Sequence, residues 1–259
     1  MSNKLHVVGI QADLFWENSE KNIAYFESEI KKLSNEIDLV ILPEMFTSGF
    51  TMKAENVAEE MGGKSVSWMK KMAKEHQIAI VGSLVIKENN QFYNRLLFVH
   101  PSGTIDFYNK RHSFTLAGEH KVYTSGTEKT IVNYKGWRIC PLICYDLRFP
   151  VWARNTEEYD LLIFVANWPV TRIKAWDTLL KARAIENMSY TIGVNRVGND
   201  FNDYQYSGNS IIVDFLGNEM ARLPENNKGT IYSILNKSEQ DTIREKLGFL
   251  KDKDRFTIE

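Results

Sequence analysis

The sequence predicts a single-domain protein of the layered α/β class, a sandwich built around mixed sheets rather than one purely parallel sheet. Apolar strand-like runs alternate with segments of helical periodicity in the first half of the chain, which is typical of parallel strands joined by helices. Hairpin-like segments follow in the middle and near the end, and they add antiparallel strands. The 259 residues suffice for one large domain with a full core, and no low-complexity linker divides them.

In the first half, the apolar pattern changes between the strand and helix periods. Ile23, Phe26 and Ile30 recur at helical spacing, and Asn18 or Ser19 precedes them as an N-cap. The segment 38–44 is apolar on both faces, as expected for a sheet that is covered on both sides. The predicted elements are a strand at 5–13, a helix at 19–37, a strand at 38–44, a helix around 65–76, a strand at 78–86 and a hairpin over 92–110.

The second half repeats this change of period with shorter connections. Pro150 suits the first turn of a short helix, because proline is tolerated where no backbone donor is needed. Ile173, Trp176, Leu180 and Ala184 share one face of a longer helix. The predicted elements are a strand at 137–144, a short helix from 150, a strand at 161–168, a helix at 171–190, strands within 191–198, 208–217 and 229–235, and a final helix at 238–247.

Composition excludes several classes of protein. Lys and Arg number 32 against 33 Asp and Glu, which gives no electrostatic reason to expect a nucleic-acid or acidic-membrane partner. No apolar stretch approaches the roughly 20 residues of a membrane span, and no signal-peptide pattern is visible. Cys140 and Cys144 would lie about 13 Å apart on an extended strand, too far to bridge. The sequence therefore predicts a cytoplasmic protein with reduced cysteines.

Motifs for common cofactors are missing from the sequence. No G-x-G-x-x-G motif follows a strand, and no Walker loop is present, so we expect no nucleotide cofactor. The 5 histidines form no ligand cluster, and the two cysteines lack the partner pair that a zinc site needs. We therefore predict neither a cofactor nor a metal.

Three strand ends carry a polar residue at the point where an apolar run stops. They are Glu44 in "LVILPEMF", Lys110 in "FYNKRH" and Cys144 in "LICYD". A carboxylate, an ammonium and a thiol together can cleave an amide. The thiolate attacks, the carboxylate removes the thiol proton, and the ammonium stabilises the oxyanion. The backbone N–H of Tyr145, directly after the nucleophile, is the second predicted oxyanion donor.

These motifs give the chain a family resemblance. "LPEMFTSGF", "YNKRH" and "LICYDLRFP" resemble the Glu, Lys and Cys motifs of the nitrilase, or carbon–nitrogen hydrolase, superfamily, in the same order and over almost the whole chain. The resemblance implies an αββα sandwich, a homodimer and a metal-free triad at Glu44, Lys110 and Cys144. It also implies that Glu119, in "LAGEHKVY", supports Lys110 or the attacking water, with an ordinary loop carboxylate as the less favoured alternative.

One branch of the superfamily is the best match. Cys144-Tyr145-Asp146 is similar to the amidase branches rather than to true nitrilases, which show Cys-Trp-Glu. "VANWP" (165–169) and "KARAIENMSYTIGVNRVG" (181–198) resemble the omega-amidases. That resemblance implies hydrolysis of short 2-oxo-acid amides such as 2-oxoglutaramate or 2-oxosuccinamate.

A substrate of this kind carries a carboxylate, so we expect a cation in its pocket, and arginine binds carboxylates in a bidentate manner. Arg172 is the first candidate and Arg196 the second. Phe46, Phe114 and Trp168 lie beside the motif residues and are candidates for the pocket wall.

Other interpretations remain open from the sequence alone. A related enzyme would act on aliphatic amides or N-carbamoyl amino acids. A different mechanism would pair Cys144 with His112 or His120, as in cysteine proteases. In a third interpretation the protein is a non-catalytic binding module or a thiol sensor, and Glu44, Lys110 and Cys144 do not hydrolyse a substrate.

Overall fold

Two six-stranded sheets lie face to face in the computed structural model, which describes residues 3–258. The strands are β1 (Lys4–Gln11), β2 (Leu39–Ile41), β3 (Ala79–Glu88), β4 (Gln91–Val99), β5 (Ile105–Asn109), β6 (Val132–Tyr134), β7 (Trp137–Ile143), β8 (Leu161–Ala166), β9 (Tyr190–Asn195), β10 (Val197–Asn199), β11 (Gln205–Ser207), β12 (Ile211–Val213), β13 (Glu219–Arg222) and β14 (Gly229–Asn236). The helices are α1 (Ser19–Ile30), α2 (Ala54–Val57), α3 (Lys64–His76), α4 (Pro150–Ala153), α5 (Ile173–Asn187) and α6 (Lys237–Leu247).

Both sheets are mixed. The first sheet has the order β14-β1-β2-β3-β4-β5, and the second has the order β13-β12-β9-β8-β7-β6. In each sheet three neighbouring strands are parallel, namely β1-β2-β3 and β7-β8-β9, while the flanking pairs are antiparallel. The predicted class, a layered α/β protein with mixed sheets, is confirmed.

Side-chain alternation along the strands separates two apolar cores. Leu5 and Val7 of β1 belong to the core between the sheets, whereas Val8 and Ile10 belong to the core under α1 and α3. On the far side, Trp176 and Leu180 of α5 pack against the second sheet. The layers therefore follow one another as helix, sheet, sheet, helix, which is the αββα order that the family resemblance implied.

The predicted first helix is too long. Asn18 does cap α1, accepting a hydrogen bond from the backbone N–H of Lys21 at 3.0 Å, but the helix ends at Ile30. Residues 34–37 instead form a turn, closed by the N–H of Ile37 and the carbonyl of Ser34. Ile37 is buried in the same core as α1, so it continues the apolar pattern from outside the helix.

The hairpin predicted over 92–110 is confirmed as the antiparallel pair β4 and β5. The predicted strand at 191–198 divides instead into β9 and β10 around Arg196, and β10 forms a two-stranded sheet with β11, with one further bridge from Val197 to Asp13. No helix formed by residues 3–258 is both long enough and apolar enough to cross a membrane.

Candidate active site

Four strand ends of the two sheets meet at one cavity. Glu44 follows β2, Lys110 follows β5, Cys144 follows β7 and Asn167 follows β8. Strand β5 runs in the same direction as β3, because two antiparallel pairings separate them. Within each sheet, the two residues therefore stand at carboxyl ends of strands that run in the same direction, where ligand sites of α/β sheets commonly form.

The carboxylate of Glu44 is buried and fully engaged. Its Oε1 accepts hydrogen bonds from Lys110 Nζ at 3.0 Å and from Asn94 Nδ2 at 2.8 Å. Its Oε2 accepts one from the backbone N–H of Asn167 at 2.8 Å. Asn167 belongs to the second sheet and Glu44 to the first, so this contact joins the two sheets at the site.

Lys110 lies between two carboxylates. Its Nζ donates to both oxygens of Glu119 at 3.0 Å, in addition to the bond to Glu44. Burial by itself lowers the pKa of Lys110, but the charges of Glu119 and Glu44 outweigh burial and leave that pKa raised. Lys110 is consequently a fixed ammonium over the whole neutral pH range.

Glu119 connects the lysine to the cavity wall. Its Oε2 accepts a hydrogen bond of 2.5 Å from the backbone N–H of Phe114, whose side chain lines the cavity. Burial raises the pKa of Glu119, and the neighbouring Lys110 opposes that rise. The predicted supporting position of Glu119 beside Lys110 agrees with this geometry.

Cys144 stands in a strained backbone conformation. Its φ of 44° lies in the left-handed region, which a residue with a side chain seldom adopts. The turn places this half-buried residue on the cavity lining, directly after the last residue of β7. Burial and the charge of Glu44 raise the pKa of the Cys144 thiol well above its usual range, although Lys110 lowers it. The resting form is therefore the protonated thiol, which needs a base before it can attack.

Asp146 fixes the turn that follows Cys144. Its Oδ2 accepts from the backbone N–H of Ile143 at 3.1 Å and from the hydroxyl of Tyr108 at 2.8 Å. Its Oδ1 accepts from the backbone N–H of His112 at 3.1 Å and lies 2.8 Å from His112 Nδ1. Asp146 thereby ties the turn of the cysteine to the segment that carries Lys110.

The alternative pairing of Cys144 with a histidine finds no support in this geometry. The ring of His112 bonds to Asp146 and stacks on Phe149 at a centroid distance of 3.6 Å. Among the described residues, neither His112 nor His120 lines the cavity that contains Cys144.

The cavity has a volume of about 450 Å³. Of the predicted residues, Phe114, Trp168, Tyr145 and Arg172 line it together with Lys110 and Cys144. The guanidinium of Arg172 lies 5.0 Å from the centre of the Phe114 ring. Aromatic walls with a few polar groups are typical of a site for a small organic molecule.

Phe46 lies outside the cavity, contrary to the prediction. Met45, with φ 44°, turns the chain between Glu44 and Phe46. The Phe46 ring then packs in the core under the first sheet, with ring centres 5.5 Å from Phe26 and 5.8 Å from Trp68. Phe46 is close to Glu44 in sequence, but its side chain does not line the cavity.

Arg196 also lies outside the cavity and is fully buried. Its guanidinium donates to the carbonyls of Asn199 at 2.9 Å, Val197 at 3.1 Å and Leu14 at 3.3 Å. These bonds hold the segment between β9 and β10 against the end of β1. Its role is structural, which leaves Arg172 as the carboxylate-binding candidate of the two.

Two cavity residues escaped the sequence prediction. Asn167 donates from Nδ2 to the carbonyl of Glu44 at 2.7 Å, and its buried Oδ1 has no partner among the described residues. Arg148 lines the cavity four residues after Cys144. Both residues lie within motifs used for the family resemblance, but no feature of the sequence singled them out.

Comparisons with known proteins show the family of the chain. A sequence model of the family described as carbon-nitrogen hydrolase matches residues 7–244. The omega-amidase YafV of Yersinia enterocolitica is 41% identical over 250 residues, which are 96% of this chain and 96% of that protein. The 2-oxoglutaramate amidase of Bacillus subtilis (strain 168) is 33% identical over 248 residues, covering 94% and 95%. Among solved structures, XC1258 of Xanthomonas campestris, a CN-hydrolase superfamily protein with an arsenic adduct in its active site, gives a TM-score of 0.97 at 38% identity, with 100% of both chains covered.

Proposed function

The chain belongs to the carbon-nitrogen hydrolase family, and from that premise we propose that it is an omega-amidase. It would hydrolyse the terminal amide of a short 2-oxo dicarboxylic acid monoamide, such as 2-oxoglutaramate or 2-oxosuccinamate, to the acid and ammonia. One observation carries the proposal: Lys110, which is bonded to Glu44, and Cys144 line a cavity that also presents an arginine without an ion pair among the described residues.

The first half of the reaction forms a thioester. Glu44 takes the thiol proton of Cys144 as the sulfur attacks the amide carbon, since the thiol is protonated at rest. The carbonyl oxygen becomes an oxyanion, which the Lys110 ammonium stabilises. Tyr145 is the second residue of the 3-10 turn Cys144–Arg148, and the first N–H groups of a helical turn have no hydrogen-bond partner within the turn. The N–H of Tyr145 is therefore the second donor to the oxyanion. Glu44 returns its proton to the nitrogen, and the C–N bond breaks to release ammonia.

The second half consumes one water molecule. Glu44 removes a proton from that water, whose oxygen attacks the thioester carbon, and the same two donors stabilise the second oxyanion. The C–S bond then breaks, and Glu44 returns the proton to the sulfur of Cys144. Glu119 stays bonded to Lys110 and keeps its ammonium in place throughout.

Arg172 supports the assignment of the substrate class. Its guanidinium lies on the cavity wall over Phe114, and no carboxylate of residues 3–258 pairs with it. A carboxylate at the far end of the amide substrate would provide that partner in a bidentate geometry. An N-carbamoyl amino acid also carries a carboxylate, so this alternative belongs in the same assay.

The test is ammonia release from 2-oxoglutaramate and 2-oxosuccinamate, with an aliphatic amide and an N-carbamoyl amino acid alongside. We expect turnover of the two oxo-acid amides by the wild type and by Cys140→Ala, and none by Cys144→Ala. Cys140 is a matched control because it is a second free cysteine, buried away from the cavity. If the N-carbamoyl amino acid were hydrolysed faster than the oxo-acid amides, the protein would be assigned to the N-carbamoyl amino acid hydrolases instead. No ammonia release from any of the substrates would contradict hydrolytic activity.

We further propose a cytoplasmic homodimer, formed by a single domain over residues 1–259, which acts on a small amide and binds neither nucleic acid nor membrane. Val151 of α4 and Ile185 of α5 are each 54% exposed, and they support a subunit contact on the helical face of the second sheet. Light scattering coupled to gel filtration should give twice the mass of the chain. A monomeric mass at micromolar concentration would contradict the dimer.

A further inference from the structure

Arg148 ends the 3-10 turn that begins at Cys144, and the mechanism above does not use it. Its side chain lines the cavity, and its guanidinium lies 5.0 Å from the centre of the Trp168 ring. The indole N–H of Trp168 donates to the carbonyl of Arg172 at 2.8 Å. One tryptophan therefore supports two arginines, through its ring in one case and through a hydrogen bond to the backbone in the other.

The cavity lining around these arginines carries mostly positive charge. Within residues 3–258, neither Arg148 nor Arg172 forms an ion pair, and Lys53 and Lys110 are the other two cations of the lining. Asp200 is the one carboxylate among the lining residues of the described chain. Its Oδ1 accepts from two backbone N–H groups of its own loop, and its Oδ2 accepts from the hydroxyl of Tyr206 at 2.8 Å. The outer part of the cavity is consequently positive.

We propose that Arg148 determines specificity at carbon 2 of the substrate, an inference that rests on the proposed omega-amidase function. Arg172 would bind the carboxylate, and Arg148 would donate a hydrogen bond to the 2-oxo oxygen beside it. A guanidinium has donors only, so a 2-ammonium group at this place would find no acceptor and would meet a like charge. Arg148 thereby admits 2-oxo-acid amides and rejects the corresponding amino acids, glutamine and asparagine.

Three amides that differ only at carbon 2 test this assignment: 2-oxoglutaramate, glutaramate with a methylene, and glutamine. Each would be assayed with wild type, Arg148→Ala, Arg148→Lys and Arg172→Ala. We expect Arg148→Ala to lower the ratio of kcat/KM for 2-oxoglutaramate to that for glutamine by roughly tenfold or more, and to affect glutaramate less than 2-oxoglutaramate. Arg148→Lys keeps the charge and should keep glutamine excluded.

Arg172→Ala should lower kcat/KM for all three amides, because each carries the carboxylate. An unchanged ratio of 2-oxoglutaramate to glutamine in Arg148→Ala would overturn the inference, and so would an equal loss on all three substrates. Circular dichroism separates these outcomes from misfolding, and Arg148→Lys reports on the charge if the alanine variant does not fold. A wild type that hydrolyses none of the three would instead contradict the proposed function itself.

Discussion

Glu44 affects the Cys144 thiol in two opposite ways. As a base it removes the thiol proton during attack, yet its negative charge raises the pKa of the resting thiol, second only to burial. The Lys110 ammonium, bonded to Glu44 at 3.0 Å, lowers that pKa. Reactivity toward the amide and acidity of the thiol are therefore separable properties of the site.

Glu44→Gln should separate them experimentally. We expect kcat to fall by about 10²- to 10⁴-fold, since the general base is lost. The pKa of Cys144 should fall at the same time, because a neutral side chain replaces the carboxylate while Lys110 stays charged. The rate of iodoacetamide labelling at Cys144, located by peptide mass spectrometry, should consequently begin to rise at a lower pH than in the wild type. A midpoint that stays in place or moves upward would contradict this account.

Arg172→Ala tests the carboxylate contact at the same scale. Losing a hydrogen-bonded charge pair with the substrate costs about 1.5–3 kcal/mol, so KM for 2-oxoglutaramate should rise roughly ten- to hundredfold. A neutral aliphatic amide lacks the carboxylate and should show a much smaller change. Arg255→Ala, an exposed arginine outside the cavity lining, is the matched control. Equal effects of Arg172→Ala on both substrates would contradict the carboxylate contact.

Among the elements, β1 contains a point where the two sheets lie very close together. A Cβ added to Gly9 would lie 2.7 Å from Cγ2 of Val194, which belongs to β9 of the second sheet, and 3.1 Å from Cγ1 of Ile231. Such distances leave no room for even one methyl group. The absence of a side chain at Gly9 therefore sets the spacing between the sheets at this point.

Gly9→Ala should accordingly lower the free energy of unfolding by about 1–3 kcal/mol, the usual cost of overpacking a core. Gly62→Ala is the control, because a Cβ there would meet nothing within 4 Å. Urea unfolding followed by circular dichroism measures both variants. Equal stability of the two would show that the sheets can separate slightly without cost.

The elements also show which parts of the secondary structure a sequence pattern can predict. The apolar run of β1 and the helical spacing of α5 were visible in the sequence because both elements are long enough to show their pattern: β1 is buried in a core on each face, and α5 packs one face on the second sheet. The three-residue strands β6 and β11 are too short to display a period, and they are defined by their partners in the sheet.

The site residues also divide into those that the sequence predicted correctly and those that it did not. The motif residues Glu44, Lys110 and Cys144 were found because strands end at them. Phe46 and Arg196 were placed wrongly because the direction of a side chain after a turn depends on the backbone: φ at Met45 is 44°, and Arg196 has carbonyl partners from two segments. Arg148 was missed for the converse reason, since its position over Trp168 depends on tertiary packing.

At the scale of the whole molecule, the site depends on the contact between the sheets. Glu44 from the first sheet accepts its bond from Asn167 of the second at 2.8 Å, and one apolar core contains side chains from both sheets. Glu44 and Lys110 come from the first sheet and Cys144 from the second, so the triad cannot be complete in a chain whose sheets have separated.

Activity and structure should therefore be lost together. In urea, the residual hydrolysis of 2-oxoglutaramate and the far-ultraviolet circular dichroism signal should show transitions with the same midpoint, as one cooperative unit requires. Loss of hydrolysis at clearly lower urea, with the dichroism unchanged, would mean that the site opens before the sheets separate.

The left-handed backbone at Cys144 lowers conformational stability at a residue that turnover requires. A residue with a side chain costs of order 1–3 kcal/mol in that region, whereas glycine adopts it freely. Glycine at 144 would relieve the turn and leave the protein without a nucleophile, so selection for thermal robustness alone would remove the residue that reacts. The cysteine persists at this position only while its chemistry is under selection, and the bonds of Asp146 around the turn compensate for its cost.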